Sequence, residues 1–292
     1  MKFDLPARPP FRFLSVVKSH GWVQLAPFVF DEEASMLHYV DQLSNGRVLE
    51  YEILESGDGV TVKTGKLTNT EQAEVSEHVT WMLGLDMDFT AFYTASGQEP
   101  KLVQAEKLAR GRVLRSPTLF EDVVKTILTT NTLWSATKRM NLNLIQQYGP
   151  LLDGKMEKRA FPGPADIAAS SPEVLREAVR VGYRAPAVHE LAVRVASGEL
   201  DLESLKTSDL PTLELRKELL KIKGVGPYAA ANLLLILGRG DFIPVDSWAL
   251  KLVSHEWYDG QPVTPKQVEA AFEEWGEFKG LAYWFWDWKY QG

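Results

Sequence analysis

The chain has 292 residues, which favours two domains over one, and it carries no cysteine and a net charge of −7. The missing cysteine excludes disulfides, cysteine nucleophiles, zinc ribbons and iron–sulfur clusters, and His20, His38, His78, His189 and His255 are scattered without metal-ligand spacing. The acidic total weighs against a nucleic-acid partner unless basic residues gather on one face.

No apolar run approaches the length of a membrane span, and the N-terminus Met1–Phe13 lacks the apolar core of a secretory signal. The chain is expected inside the cell, with no membrane partner. Residues 1 to 67 read as strands. Trp22–Leu25 is a short strand candidate. Leu49, Tyr51 and Ile53 alternate with Glu50 and Glu52, and Val60 and Val62 alternate with Thr61 and Lys63, with Ser56-Gly57-Asp58-Gly59 as the hairpin turn between them. This pattern predicts an antiparallel sheet with one buried face.

Thr70 then caps a helix whose apolar positions Val75, Val79, Met82 and Leu83 share one side. A boundary is expected between residues 95 and 115, dividing the chain into 1–110 and 111–292. Beyond it the pattern is helical. Ser116-Pro117 reads as an N-cap with proline in the first turn, and further helices fit 136–148, 172–180, 184–197, 211–222, 227–238, 246–257, 264–275 and 279–288.

The most informative segment is Leu219-Leu220-Lys221-Ile222-Lys223-Gly224-Val225-Gly226-Pro227-Tyr228. One apolar helix stops at a Gly-Val-Gly turn and another begins at once. Glycine suits both a tight turn and a close approach to another surface, and the free N–H groups opening the second helix can hold an anion. Arg216, Lys217, Lys221 and Lys223 make the neighbourhood positive, and Ala229, Ala230 and Ala231 permit close packing beneath. The plain alternative is a tight helix–helix turn. Pro244-Val245-Asp246 follows, with the acid at a helix start. Asp246 suits an N-cap, and a capping carboxylate kept ionised by the helix dipole also suits stabilisation of a developing cation.

Lys223-Gly224-Val225-Gly226 followed by Pro244-Val245-Asp246 resembles the helix-hairpin-helix GPD superfamily of base-excision DNA glycosylases, over roughly residues 111–292. Leu128-Thr129-Thr130-Asn131, Phe161-Pro162, Gly182-Tyr183-Arg184-Ala185 and Trp275–Ala282 fall in the family's order. Gly182–Ala185 is similar to the 8-oxoguanine glycosylase branch. The β-rich N-terminus is similar to the extra domain which that branch shares with the inducible bacterial 3-methyladenine glycosylases. The resemblance implies an α+β fold: a mostly α-helical helix-hairpin-helix glycosylase core with an N-terminal antiparallel β-sheet domain, and an active-site cleft between two helical subdomains.

Chemically, it implies a monomer that binds double-stranded DNA containing a damaged base, extrudes that base and cuts its N-glycosidic bond. Asp246 would be the catalytic carboxylate. Lys223, Gly224, Val225, Gly226 and Pro227 would hold phosphates, and Asn131 would fill the gap left by the extruded base. The carbonyls of Leu220, Ile222 and Val225 match positions that carry a monovalent cation, Na⁺ or K⁺; no other cofactor is expected. Strand-nicking members place a Schiff-base lysine where this chain has Tyr228, so hydrolysis without lyase activity is expected. Tyr228, Asn232, Tyr283 and Asp287 would line the base pocket, with plain core packing as the alternative for the aromatic run Tyr283–Trp288. An alkylated purine is the expected substrate, because electron-poor bases stack well on aromatic faces. An 8-oxoguanine-type glycosylase and a non-catalytic hairpin DNA-binding protein are the alternatives.

Overall fold

The computed structural model describes residues 1–154 and 157–286. Five antiparallel strands form one sheet in the order β1-β5-β4-β3-β2, namely β1 Lys2–Pro6, β2 Val29–Asp31, β3 Met36–Gln42, β4 Val48–Ser56 and β5 Gly59–Thr64. The alternation in β4 works as expected: Leu49, Tyr51 and Ile53 point inward, with Tyr51 opposite Tyr39 and Ile53 opposite Val62. The turn joining β4 to β5 is the tight Gly57-Asp58 pair, and Gly57 sits at a φ of +54° that favours glycine.

Three local expectations are corrected. Trp22–Leu25 is no strand: Gly21–Gln24 forms a 3₁₀ turn, which seats Trp22 in the core instead of pairing its backbone. The helix Asn69–Leu83 is capped by Thr68 rather than Thr70, because Thr68 and Glu71 complete a capping box that the later threonine cannot. The helix Leu119–Thr129 is capped by Thr118, not Ser116, whose amide donates to Asp122 and whose hydroxyl accepts from Lys125 Nζ at 3.2 Å.

The remaining helices fall close to the expected spans, among them Trp134–Tyr148, Ala185–Ala196, Thr212–Leu220, Pro227–Ile236 and Ser247–Trp257. The stretch 172–180 divides into a short α-turn Pro172–Val174 and a wider π-turn Leu175–Val179. The stretch 264–275 holds a helix Pro265–Ala271 that gives way to a 3₁₀ segment from Glu273, and the described part of the last helix is Lys279–Phe285.

Two hydrophobic cores organise the described residues. The first joins the inner sheet face to Val75, Val79 and Met82, to the helix Leu119–Thr129 and to Leu233, Leu234 and Ile236. The second joins Phe89, Phe92 and Leu102 to Leu235, Val253, Phe272 and Phe285. The helix Pro227–Ile236 therefore lies between both cores and is buried on nearly every side except at Pro227, Tyr228 and Asn232. Tyr228 and Asn232 are its polar side chains left to face a cavity.

Every residue from Leu119 to Leu128 is buried, polar ones included. Glu121, Asp122 and Lys125 are paired, with groups outside the helix and within it, while the Thr126 hydroxyl has no hydrogen-bond partner among the described residues. Tyr39 donates to Glu121 at 2.6 Å, Lys125 pairs with Glu121 at 2.6 Å, and the Trp22 indole donates to Asp122 at 2.7 Å. Burial pushes the Asp122 carboxyl up to about 6, against the nearby Lys125 charge.

Candidate active site

The hairpin is built as its glycines suggest, but the two act differently. Gly224 has a φ of +86°, and a Cβ there would lie 2.9 Å from Ala187 Cβ. It is needed for the turn and for packing. Gly226 is extended, with open space where a Cβ would stand, so it leaves the hairpin tip accessible. Gly226 is also the N-cap of the helix Pro227–Ile236, and no side chain caps that helix, so its first-turn amides are left to an outside acceptor.

The expected positive neighbourhood is corrected. Lys217 pairs with Glu214, Lys221 with Glu218 and Lys223 with Glu190, each at 2.7 Å, while the Arg216 guanidinium lies over the Phe242 ring. The hairpin tip thus presents main-chain dipoles more than free charge.

Asp246 is the N-cap of the helix Ser247–Trp257. Its Oδ1 accepts from the amides of Trp248 and Ala249, both at 2.9 Å, which fixes the carboxylate and leaves Oδ2 outside the cap. Two phenols feel its charge. The Tyr228 hydroxyl is pushed above the usual tyrosine range first by burial and then by Asp246, and Tyr283 is raised for the same two reasons in the same order. Both phenols stay protonated near neutrality and can donate.

A cavity of about 300 Å³ opens beside Tyr228. Its walls include Trp22, Trp134, Trp284, Tyr228 and Asn232, with His20 among the polar groups. Among the described residues no Asp, Glu, Lys or Arg lines it. Asn232 Nδ2 donates to the Tyr228 carbonyl at 3.0 Å, one helical turn back. The N-terminal region builds one side: the Trp134 ring lies so close over Gly21 that a Cβ there would approach it to 2.5 Å, and the Trp284 indole donates to the Ser19 carbonyl at 3.1 Å. Tyr228 also lines a second cavity of about 560 Å³ with Arg216, Val245 and Lys266.

Of the residues expected at the site, Tyr228 and Asn232 line the first cavity, and Asp246 acts on Tyr228 through its charge and stands beside the buried Tyr283. Neither Asp246 nor Tyr283 is in the lining of either cavity. Asp287 lies outside the described residues. Asn131 stands exposed in the loop after Leu119–Thr129 at a φ of +46°, its amide donating to the Tyr183 hydroxyl at 3.4 Å. Tyr183 is itself 63% exposed and stacks with the Arg184 guanidinium. Sequence reasoning missed His20, Trp22 and Trp134 as cavity residues; Gly21 was the one local signal, since it is the glycine on which Trp134 packs.

Comparison with known proteins follows the same lines. The chain is 26% identical over 167 residues to a DNA-3-methyladenine glycosylase of Bacillus subtilis, an alignment covering 56% of this chain and 54% of that protein, so it spans about half the length of the curated relative it matches. The fold is shared with the 3-methyladenine DNA-glycosylase of Archaeoglobus fulgidus (TM-score 0.75, 20% identity, 98% and 97% of the two chains). It is also shared with the 8-oxoguanine glycosylase/lyase of Clostridium acetobutylicum in complex with double-stranded DNA (TM-score 0.73, 22% identity, 98% and 96% of the two chains). The hairpin, Asp246 and the helix between the two cores all fall within residues 124–278, which match the HhH-GPD superfamily base excision DNA repair proteins; the chain belongs to that family.

Proposed function

We propose that the protein is a monofunctional DNA glycosylase that removes a damaged purine, an alkylated one first, from duplex DNA. The observation that carries this reading is a fixed carboxylate, Asp246, within electrostatic reach of Tyr228, which walls a cavity lined by Trp22, Trp134 and Trp284. The uncapped first turn at Gly226 receives a backbone phosphate through its amides. Asn131, with Tyr183 beside it, enters the gap left in the duplex. The extruded base stacks among the indoles, a surface suited to electron-poor rings.

The bond between the sugar C1′ and the base nitrogen breaks with its electron pair leaving on the base. Asp246 holds the positive charge that builds on the sugar and orients a water toward C1′. The hydroxyl of that water ends on C1′ and the strand is left with an abasic site. An alkylated purine, cationic in the nucleotide, leaves neutral and the water's proton passes to solvent, whereas a purine that leaves as an anion takes that proton. Asn232 and the phenol of Tyr228 orient the base. Tyr228 carries no amine, so this position forms no Schiff base with the sugar. The carbonyls of Leu220, Ile222 and Val225 are neutral main-chain oxygens, a donor set that suits a monovalent cation such as Na⁺ or K⁺, which would add positive charge behind the phosphate. The Ile222 carbonyl also accepts the Val225 amide at 3.0 Å, using one of its two lone pairs.

The test is release of bases from duplexes carrying alkylated purine, hypoxanthine, 8-oxoguanine or uracil, by wild type and by Asp246→Asn, with and without alkali. Release that depends on Asp246 and nicks only after alkali supports the proposal. Borohydride trapping of the protein on DNA would refute the monofunctional reading; Lys266, on the second cavity, is the amine to examine then. DNA binding with no base released from any duplex would favour a non-catalytic hairpin protein.

A further inference from the structure

The aromatic walls of the cavity grip any base by its face, and selectivity then depends on its polar edge. The N-terminal region supplies one group for that edge. His20 precedes the 3₁₀ turn Gly21–Gln24 and lines the cavity with Trp22 and Trp284, its ring 4.7 Å from Trp22 and 5.9 Å from Trp284. Its Nε2 lies 2.6 Å from the Leu114 carbonyl. A carbonyl can only accept, so Nε2 carries the proton and Nδ1 presents a lone pair. Leu114 is in turn held by its amide, which donates to the Ser19 hydroxyl at 2.9 Å. The tautomer is therefore set by the Leu114 carbonyl, and the Ser19 hydroxyl holds that residue in place.

Burial, aided by the Lys125 charge and opposed by the Leu114 hydrogen bond, pushes the imidazole down to about 4, so it is neutral in the physiological range. Nδ1 makes no hydrogen bond with any described residue. We propose that His20 is a specificity-determining residue, its Nδ1 accepting a hydrogen bond from an N–H on the edge of the extruded base. The preferred substrates are then purines that keep an amino or ring N–H facing the N-terminal region, and bases without one are handled poorly. This rests on the glycosylase reading for the base's being extruded, but not on any particular chemistry at the sugar.

The test separates the two. Wild type, His20→Ala and His20→Phe are titrated with 9-methyladenine, 9-methylhypoxanthine and 9-methylpurine, read by quenching of tryptophan fluorescence. The first two bases carry an N–H donor and the third carries none. Wild type is expected to bind the donor-bearing bases about tenfold more tightly than 9-methylpurine, the worth of one buried hydrogen bond. Both variants are expected to lose that preference while keeping their affinity for 9-methylpurine within about twofold. His20→Phe preserves the ring volume against Trp22, so packing and acceptor effects are told apart. Equal weakening for all three bases, no preference in the wild type, or no quenching by any base would overturn the proposal. Lesion release lost in Asp246→Asn tests the glycosylase reading by itself: release without His20-dependent selectivity sinks only this inference, and selective binding without release sinks only the catalytic one.

Discussion

At Asp246 one carboxylate does two things with its two oxygens. Oδ1 ends a helix by accepting two amides, and Oδ2 is left outside the cap. The roles separate by substitution. Asparagine caps as well as aspartate, so Asp246→Asn is expected to melt within about 0.5 kcal/mol of wild type. The same change should lower single-turnover base release at least a hundredfold, because the charge opposite the developing cation is gone. Asp246→Ala should add a stability loss of about 1 kcal/mol to that defect. Thermal melts beside quench-flow assays decide; a large melting shift in Asp246→Asn would mean that the charge serves the fold. Asp246 was legible in the sequence because its cap, its proline and its hairpin neighbour lie within one short stretch. His20 was not, because its partner Leu114 is 94 residues away and the neighbouring Gly21 marks only a close approach, not the histidine's role.

The hairpin is the element on which stability and binding can be pulled apart. Gly224 needs its positive φ and its space against Ala187, so Gly224→Ala should cost roughly 1–3 kcal/mol of stability. Gly226 has ordinary φ and open space ahead, so Gly226→Ala should cost under about 1 kcal/mol yet weaken duplex binding, since the methyl stands where phosphate would approach. Equal DNA affinity in Gly226→Ala and wild type would remove the phosphate from this turn. Charge behaves similarly. Glu190 holds Lys223 at 2.7 Å, and Glu190→Gln should free that lysine, tightening duplex binding and steepening its log–log salt dependence by about one unit. A fluorescence-anisotropy titration from low to moderate salt measures it. The Lys217–Glu214 and Lys221–Glu218 pairs lie three residues apart and were open to reading from that spacing, but sequence reasoning counted those lysines as free charge; Glu190 comes from another helix. The β4–β5 hairpin was readable for the same local reason. The 3₁₀ turn at Trp22 was not, because what decides it is the distant Asp122 that receives the indole N–H.

Across the molecule, the sheet is tied to the site through the buried helix Leu119–Thr129, and this tie titrates. His20 is neutral in the folded protein down to about pH 4 but ionises near 6.5 when unfolded. The unfolded chain therefore takes up a proton that the native one refuses, and His20's contribution to stability falls as pH drops from 6.5 toward 4. Asp122, pushed up to about 6, has the opposite sign: its contribution is present below the ordinary aspartate range and lost as pH rises through about 6. His20→Asn removes the first effect and leaves the second. Its melting temperature relative to wild type should rise steadily as pH is lowered from 7 to 4. A difference that stays flat across that range would show that the imidazole is not held neutral.

What the sequence determined by itself is what neighbours along the chain can enforce. The alternation of Leu49, Tyr51 and Ile53, the glycine turn before Pro227 and the cap at Asp246 each rest on contacts within a few residues, and the last two lie within the stretch that matches the family. The tertiary structure decided what those pieces enclose. His20 and Trp22, Trp134, and Trp284 come from three separate stretches and meet only because two cores close on either side of the helix Pro227–Ile236. A cavity wall is a relation between surfaces, and no period or motif in one segment encodes the segment that will face it.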